Sequence, residues 1–340
     1  MVDIKVTTTG YTVDGQTEVT AKVPLAAAIR KAEEFPEGAV ITVVSNLTQP
    51  INIGGPVGNE NKDECAYWKT KPISNVTIRG TNMRSCSITN VTFWEGLKGI
   101  NDIKFSNLKI INTSYEFAPI RTAMNQVHGH IIIDGCIFIG SGYNWLGKGM
   151  KWGIRGHGPA RWTILNSTFD PCQEHSIYID NPQGNTTIEN CIGRSNGRTF
   201  IQITNRPSSG VSQFGNILVK GCQAFDMDNS GGGGSDYTFV GCTEKLSVEN
   251  CSSYNTQNGA FVCWTDTYNG TYPVDENYSF KNVVVKNFTG TSTRATRPMF
   301  AMSGVKEAQL FDITLGGGSM KYRFGGDYGG PRPNGNIEMF

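Results

Sequence analysis

Between Ile103 and Leu315 the chain writes one short phrase eight times: "IKFSNLKI", "IIIDGCIF", "TILNSTF", "TTIENCIG", "ILVKGCQA", "LSVENCSS", "VVVKNFTG" and "QLFDITL". One position of the phrase holds Asn107, Gly135, Asn166, Asn190, Gly221, Asn250, Asn287 and Asp312, and no other residue type. Asn, Gly and Asp enter a left-handed backbone at the least cost, so each copy is expected to bend at that point. The bends recur at roughly 24 to 37 residues, the period of stacked supersecondary units joined by loops of unequal length. Asn side chains stacked this way are expected to hydrogen-bond along the column.

The next position reads Leu108, Cys136, Ser167, Cys191, Cys222, Cys251, Phe288 and Ile313. All are small or apolar, which predicts a buried column of plugs inside the stack. The column absorbs four of the nine cysteines. Cys here behaves as a small hydrophobe rather than as part of a disulfide framework, and no CxxC or Cys/His pair has zinc spacing. Cys65, Cys86, Cys172, Cys242 and Cys263 fall outside the pattern.

Between successive phrases lies another alternating segment: "PIRTAM", "WGIRGHG", "SIYIDN", "FIQITN", "YTFVGC", "FVCWTD" and "MFAMSG". Each repeat therefore supplies one strand, a loop, a second strand, the bend and a third short strand. The predicted fold is all-β: a single-stranded right-handed parallel β-helix with three strands per rung. Its 41 glycines and 17 % charged residues suit repeated tight turns. In "VPLAAAIRKAEEF", Leu25, Ala28, Ile29 and Ala32 have helical spacing, so a short N-terminal helix is expected to cap the stack. The chain reads as one domain over 1–340, with a cap region in 1–40, rungs over about 41–318 and an irregular tail in 319–340.

A formal charge of +1 provides no global field for nucleic acid or a membrane surface, so neither is an expected partner. The first residues carry no apolar signal-peptide core, and no run approaches the roughly 20 apolar residues of a membrane span. Electrostatic preference must therefore be local.

The layout of capping helix, "TIENCIG"-like turns and "SIYIDN"-like strands resembles the pectate-lyase-like superfamily over roughly residues 20 to 320. That superfamily includes polysaccharide lyases, polygalacturonase-type hydrolases, uronate epimerases and phage tailspike depolymerases. The resemblance implies a substrate groove along the "SIYIDN" face, walled by the flanking loops. With Ile154, Ile177 and Ile201 inward, the outward columns become Lys151, Arg155 and His157, then Glu174, Tyr178 and Asp180, then Arg198, Gln202 and Thr204. Later rungs offer Val262, Trp264 and Asp266, and Arg121 precedes the set. His175 falls beside His157 in the rung order. The loop "GSGYNWLGKGMKW" places Tyr143 and Trp145 where a sugar ring stacks, while Trp152 has inward parity.

Lys148, Lys151, Arg155, Arg161, Arg198 and Arg206 make this region basic in a nearly neutral chain, which favours an anionic polymer such as a uronic-acid glycan. β-Elimination needs the carboxylate neutralised, the C5 proton removed and the leaving oxygen stabilised. Arg155 or Arg198 suits the first task, Lys151 or His157 the second and Tyr178 the third. Substrate contacts are expected from Arg198, Gln202, Arg206, His175, Trp145, Tyr143, Arg121 and Trp264. Related lyases often enlist calcium; Asp180, Glu174 and Asp170 could bind it, but no Asp-rich cluster of the usual density is present, so no cofactor is expected. A rival reading is inverting hydrolysis, with Asp180 and either Glu174 or Asp170 as the carboxyl pair. "RGHG" matches the GHG of polygalacturonases, but that family's NTD, adjacent-Asp and RIK motifs are missing. A third reading is a binding-only tailspike module. The expected setting is extracellular or virion-associated, as a monomer or homotrimer.

Overall fold

The computed structural model describes residues 1–53, 75–82, 86–91, 93, 102–112, 118–122, 129–140, 150, 152–157, 160–205, 214–227, 235–241, 243–265, 279–318, 320–325 and 335–340. The chain divides into two compact units, Met1–Gln173 and Glu174–Phe340.

In the first unit, the strand Val2–Val6 pairs antiparallel with Gly10–Val13, which pairs with Val19–Thr20. The expected helix follows at Pro24–Ala32, with Pro at its first turn and Arg30 and Lys31 in its last. Proline fits a helix start because its missing N–H would find no partner there, and the two cations face the negative end of the helix dipole. Leu25, Ala28, Ile29 and Ala32 are all buried. The helix packs on Val2–Val6 and Ala39–Val43.

Parallel strands then accumulate: Val2–Val6, Ala39–Val43, Val76–Gly80, Asp102–Ser106, His130–Asp134 and Arg161–Leu165. Alternation turns every second side chain inward, and exact register stacks them. Ile41, Ile78, Phe105, Ile133 and Ile164 therefore form one column, each fully buried. Burying a side chain of this size is worth about 1.5–3 kcal/mol, so each rung brings its own share of core. A second column runs through Ser87–Val91, Lys109–Asn112, Ile137–Gly140 and Thr168–Asp170. There the Phe138 and Phe169 rings stack with centroids 4.7 Å apart.

The second unit repeats the plan with three strands per rung. One sheet contains His175–Asp180, Ile201–Asn205, Tyr237–Gly241, Phe261–Trp264, Phe300–Ser303 and Tyr322–Phe324, all parallel. Its inward column is Ile177, Ile201, Tyr237, Phe261, Phe300 and Tyr322 in register. Phe261 and Phe300 stack at 4.4 Å. On the next side, Ile188, Val219, Val248, Val285 and Leu310 are stacked and fully buried. The outer face of the same strands alternates in sign: Glu189, Lys220, Glu249 and Lys286 lie in register. A one-residue slip would bury these charges, so the ladder fixes register from both faces.

All eight predicted bends have positive φ, from 50° at Asn166 to 62° at Gly221. Asn287 Nδ2 donates to Asn250 Oδ1 at 2.9 Å, and Asn166 Nδ2 donates to Asp134 Oδ1 at 3.0 Å. The plugs behind the bends are buried from Leu108 through Phe288, and Cys136, Cys191, Cys222 and Cys251 are free thiols. Ile313 departs from the pattern and is half-buried. It belongs to the strand Val305–Gly316, beyond which, among the described residues, Asn336–Met339 pairs along Glu307–Leu310.

Two features escape the sequence pattern. A second left-handed bend follows the short strands Ile192–Arg194, Gln223–Phe225 and Ser252–Tyr254, at Ser195, Asp226 and Asn255, with φ of 50°, 54° and 57°. Asn255 Nδ2 donates to Asp226 Oδ1 at 2.6 Å across that column. The segment 319–340, expected to be irregular, contributes two strands: Tyr322–Phe324 pairs with Phe300–Ser303, and Asn336–Met339 pairs with Val305–Gly316. An open strand edge offers unpaired backbone groups, and these short segments satisfy part of it.

Candidate functional site

In the first unit, Ile120–Arg121 pairs in parallel with Trp152–His157, so Ile154 lies over Ile120 and Arg155 over Arg121. Both isoleucines are fully buried, while both arginines are half-buried on the opposite side of the strands. Strand alternation thus separates core from surface as the sequence predicts. The Arg155 guanidinium lies 4.7 Å from the centre of the Trp152 ring. Thr122 N–H donates to the Arg155 carbonyl at 3.1 Å, and Arg121 N–H to that of Phe93 at 3.2 Å, which ties three successive rungs together. Trp152, whose parity suggested core, is half-buried and acts as a platform for a cation.

Arg161, counted from the sequence among the basic residues of the groove, begins a strand of a different column. It lies in register with His130 and donates from its guanidinium to His130 Nδ1 at 2.7 Å. The other ring nitrogen of His130 is then the N–H that donates to Thr163 Oγ1 at 2.8 Å. Burial, helped by the Arg161 charge, holds the His130 pKa below its ordinary value. Asp170 ends the strand Thr168–Asp170 and is half-buried.

In the second unit, the strand His175–Asp180 carries the densest titratable set. The Arg198 guanidinium lies 3.5 Å from Glu174 Oε2, and His175 Nε2 lies 3.9 Å from the same oxygen. The Arg198 and Thr199 backbone N–H groups both donate to the Glu174 carbonyl, at 2.9 and 3.3 Å. The backbone clamp thus brings the Arg198 side chain beside the Glu174 carboxylate. His175 is 5 % exposed and stacks on the Tyr178 ring with centroids 5.0 Å apart. Tyr178 is half-buried, in register with Gln202, and Asp180 is in register with Thr204. Gln202 Nε2 donates to Thr204 Oγ1 at 3.3 Å. Thr204, an outward residue by sequence parity, is only 2 % exposed, and Gln202 is the polar group that stands above it.

Further along the same sheet the outward column loses its chemistry: Thr238, Val240, Val262, Ala301 and Ser303 are all buried. Trp264 is half-buried, in register with Val240 and Ser303. The column, among the described residues, regains a charge only at its far end, where the half-buried Arg323 lies in register with Ala301. Among the described residues no group of three or more His, Cys, Asp and Glu side chains is assembled as a metal site. Glu174, one of the expected calcium ligands, lies beside the Arg198 guanidinium.

Lys151, Tyr143, Trp145 and Arg206 lie outside the described residues, as do Lys148 and Asp266. His157 is described only as the last residue of its strand. The His175–Tyr178 contact was not foreseen, because His175 and Tyr178 have opposite strand parity and meet only at the strand start.

Two solved structures are similar to the chain. One is the Azotobacter vinelandii mannuronan C-5 epimerase AlgE6 A-module, 12 % identical with a TM-score of 0.42, covering 94 % of this chain and 96 % of that one. The other is the AlgE4 A-module of the same organism's mannuronan C-5 epimerase, 11 % identical with a TM-score of 0.42, covering 93 % and 96 %. No family model matches the chain, and no curated protein matches it. At this level the likeness decides neither fold nor chemistry, and both rest on the register and contacts above.

Proposed function

We propose that the protein is a carbohydrate-active enzyme that cleaves a uronic-acid-containing polysaccharide by β-elimination. The observation that carries the reading is the set on the second unit's first two rungs: the Arg198 guanidinium beside the Glu174 carboxylate just ahead of the strands, and Tyr178 and Asp180 on one side of the strand His175–Asp180. Arg198 has its side chain 34 % exposed, which leaves it open to a ligand carboxylate while Glu174 holds it in place. A guanidinium there offsets the charge that builds on the uronate as C5 loses its proton.

Tyr178 carries the proton transfer, its phenol proton having first been given up to solvent. The C5–H bond breaks to the phenolate oxygen, its electron pair forms the C4–C5 double bond, and the C4–O4 bond breaks. The proton then passes to the departing O4, so no water is consumed. His175, buried beneath the phenol ring, is a positioning residue for Tyr178, and Glu174 is one for Arg198. Asp180 on the same strand and Gln202 in register with Tyr178 are assigned contacts to sugar hydroxyls.

Kinetics of two variants test this assignment. Tyr178→Phe and Arg198→Gln are each expected to lower kcat on the uronate polymer by 100-fold or more, the order seen for loss of a proton-transfer or charge-stabilising group. Their thermal transitions should stay close to wild type, because both side chains reach solvent. Wild-type turnover in both would overturn the placement of the site.

A further inference from the structure

We propose that His130 and Arg161 form a pH-sensitive clasp on the outer face of the first unit: the neutral imidazole holds the Arg161 guanidinium against the sheet, and the protonated ring releases it to solvent and takes Asp102 as its partner. The inference rests on this cluster alone and is independent of the polymer reading above.

Strand register places Asp102, His130 and Arg161 one above another at the starts of three successive parallel strands. Arginine has donors only, so the 2.7 Å contact between its Nη2 and His130 Nδ1 requires a lone pair on that nitrogen. The ring's one proton then sits on Nε2 and is directed at Thr163 Oγ1, 2.8 Å away. Both ring nitrogens are thereby committed to the neutral form. A second proton has to enter at Nδ1, where it meets an N–H donor at hydrogen-bond distance and a like charge on the neighbouring strand. The two states exclude each other, so protonation of the ring and departure of the guanidinium are one event.

The surroundings give each partner a place to go. Arg161 is exposed, so its guanidinium enters water without any rearrangement of the core. On the other side of His130 stands the exposed Asp102, whose Oδ1 already accepts the His130 backbone N–H at 3.3 Å. The remaining charged residues of the three strands are Lys104 and Asp134, which pair with each other at 3.1 Å. The balance at the ring is therefore left to Arg161 and Asp102. Burial, helped by the Arg161 charge, holds the His130 pKa down while Asp102 pulls it up, and the net displacement puts the switch on the acid side of the ordinary 6.5.

The test is an NMR pH titration of the full chain carrying nitrogen-labelled histidine and arginine, which reads the tautomer and charge of each ring; His130→Gln assigns the signal. The expected result is an Nε2–H tautomer at pH 7.5 that titrates below the ordinary value in wild type. The midpoint should rise in Arg161→Ala and fall further in Asp102→Asn, opposite shifts from two exposed residues that a merely structural role does not produce. The Arg161 guanidinium signals, assigned by their loss in Arg161→Ala, should move with the same midpoint as the ring. An Nδ1–H tautomer at pH 7.5, a wild-type midpoint at or above the ordinary value, or equal midpoints in wild type and Arg161→Ala overturns the clasp. A guanidinium that does not follow the ring overturns the release, and an unchanged midpoint in Asp102→Asn overturns the exchange of partner. The wild-type tautomer and Asp102→Asn keep the test decisive if Arg161→Ala fails to fold.

Discussion

Cys136 shows how a single side chain reports on the stack. It is fully buried between Leu108 and Ser167 in the plug column, and loss of hydration pushes its thiol from the ordinary 9.0 up to about 12. The folded value lies above the unfolded one, so the neutral thiol's contribution is complete below the unfolded pKa and is lost as pH climbs towards the folded one. Ser167 shows what the column tolerates instead: its hydroxyl donates to the Leu165 carbonyl at 2.7 Å, two residues back, just as Cys136 Sγ points at the Asp134 carbonyl. Cys136→Ser is therefore expected to cost no more than about 2 kcal/mol at pH 7. It should also flatten the fall in the urea midpoint between pH 9 and pH 11. An unchanged fall would show that the thiol is not buried in its neutral form. The plug column was readable from residue type alone because no charged side chain ever enters it. The burial of His175 and Thr204 was not, since it depends on how a strand begins and on which neighbour stands above it.

At the scale of the element, the left-handed bend decides where one strand stops and the next starts. Asn250 adopts φ of 53° and accepts a hydrogen bond from Asn287 at 2.9 Å. Asn250→Ala loses both the residue type suited to that backbone and the cross-rung bond, and should destabilise the second unit by about 1–2 kcal/mol. Asn250→Gly keeps the backbone freedom and should recover part of that loss. Denaturant midpoints of the two variants check the order, and equal values would mean that the bend carries no strain. The first bend was legible because all eight copies use Asn, Gly or Asp. The second, at Ser195, Asp226 and Asn255, was not, because serine breaks the pattern and the loops after it vary in length. The strands Tyr322–Phe324 and Asn336–Met339 were missed for a related reason. Three-residue and four-residue strands in a glycine-rich tail are made by the partner edge they pair with, and local sequence carries little of that information.

Across the molecule, a net charge of +1 means that attraction for a polyanion has to come from charges placed by register. The sequence names "PIRTAM" and "WGIRGHG" as successive strands, but the register that sets Arg121 beside Arg155 and the stacking of Arg155 on Trp152 required coordinates. Arg161 shows the same dependence, because its strand start is hidden behind "GHGPA" and its partner, His130, belongs to another column. Architecture was legible since every rung solves the same packing problem. The chemistry was legible only as a cluster of residue types on one face, since each proton-transfer role depends on contacts made once.

The most direct measurement incubates the purified protein with a panel of uronate and neutral polysaccharides and follows absorbance near 235 nm together with reducing ends. Elimination leaves a conjugated unsaturated uronate, so the account predicts that both signals rise in step on a uronate polymer and that neither rises on a neutral one. Reducing ends released without absorbance would contradict it and point to hydrolysis, and silence in both signals on every polymer would contradict cleavage altogether.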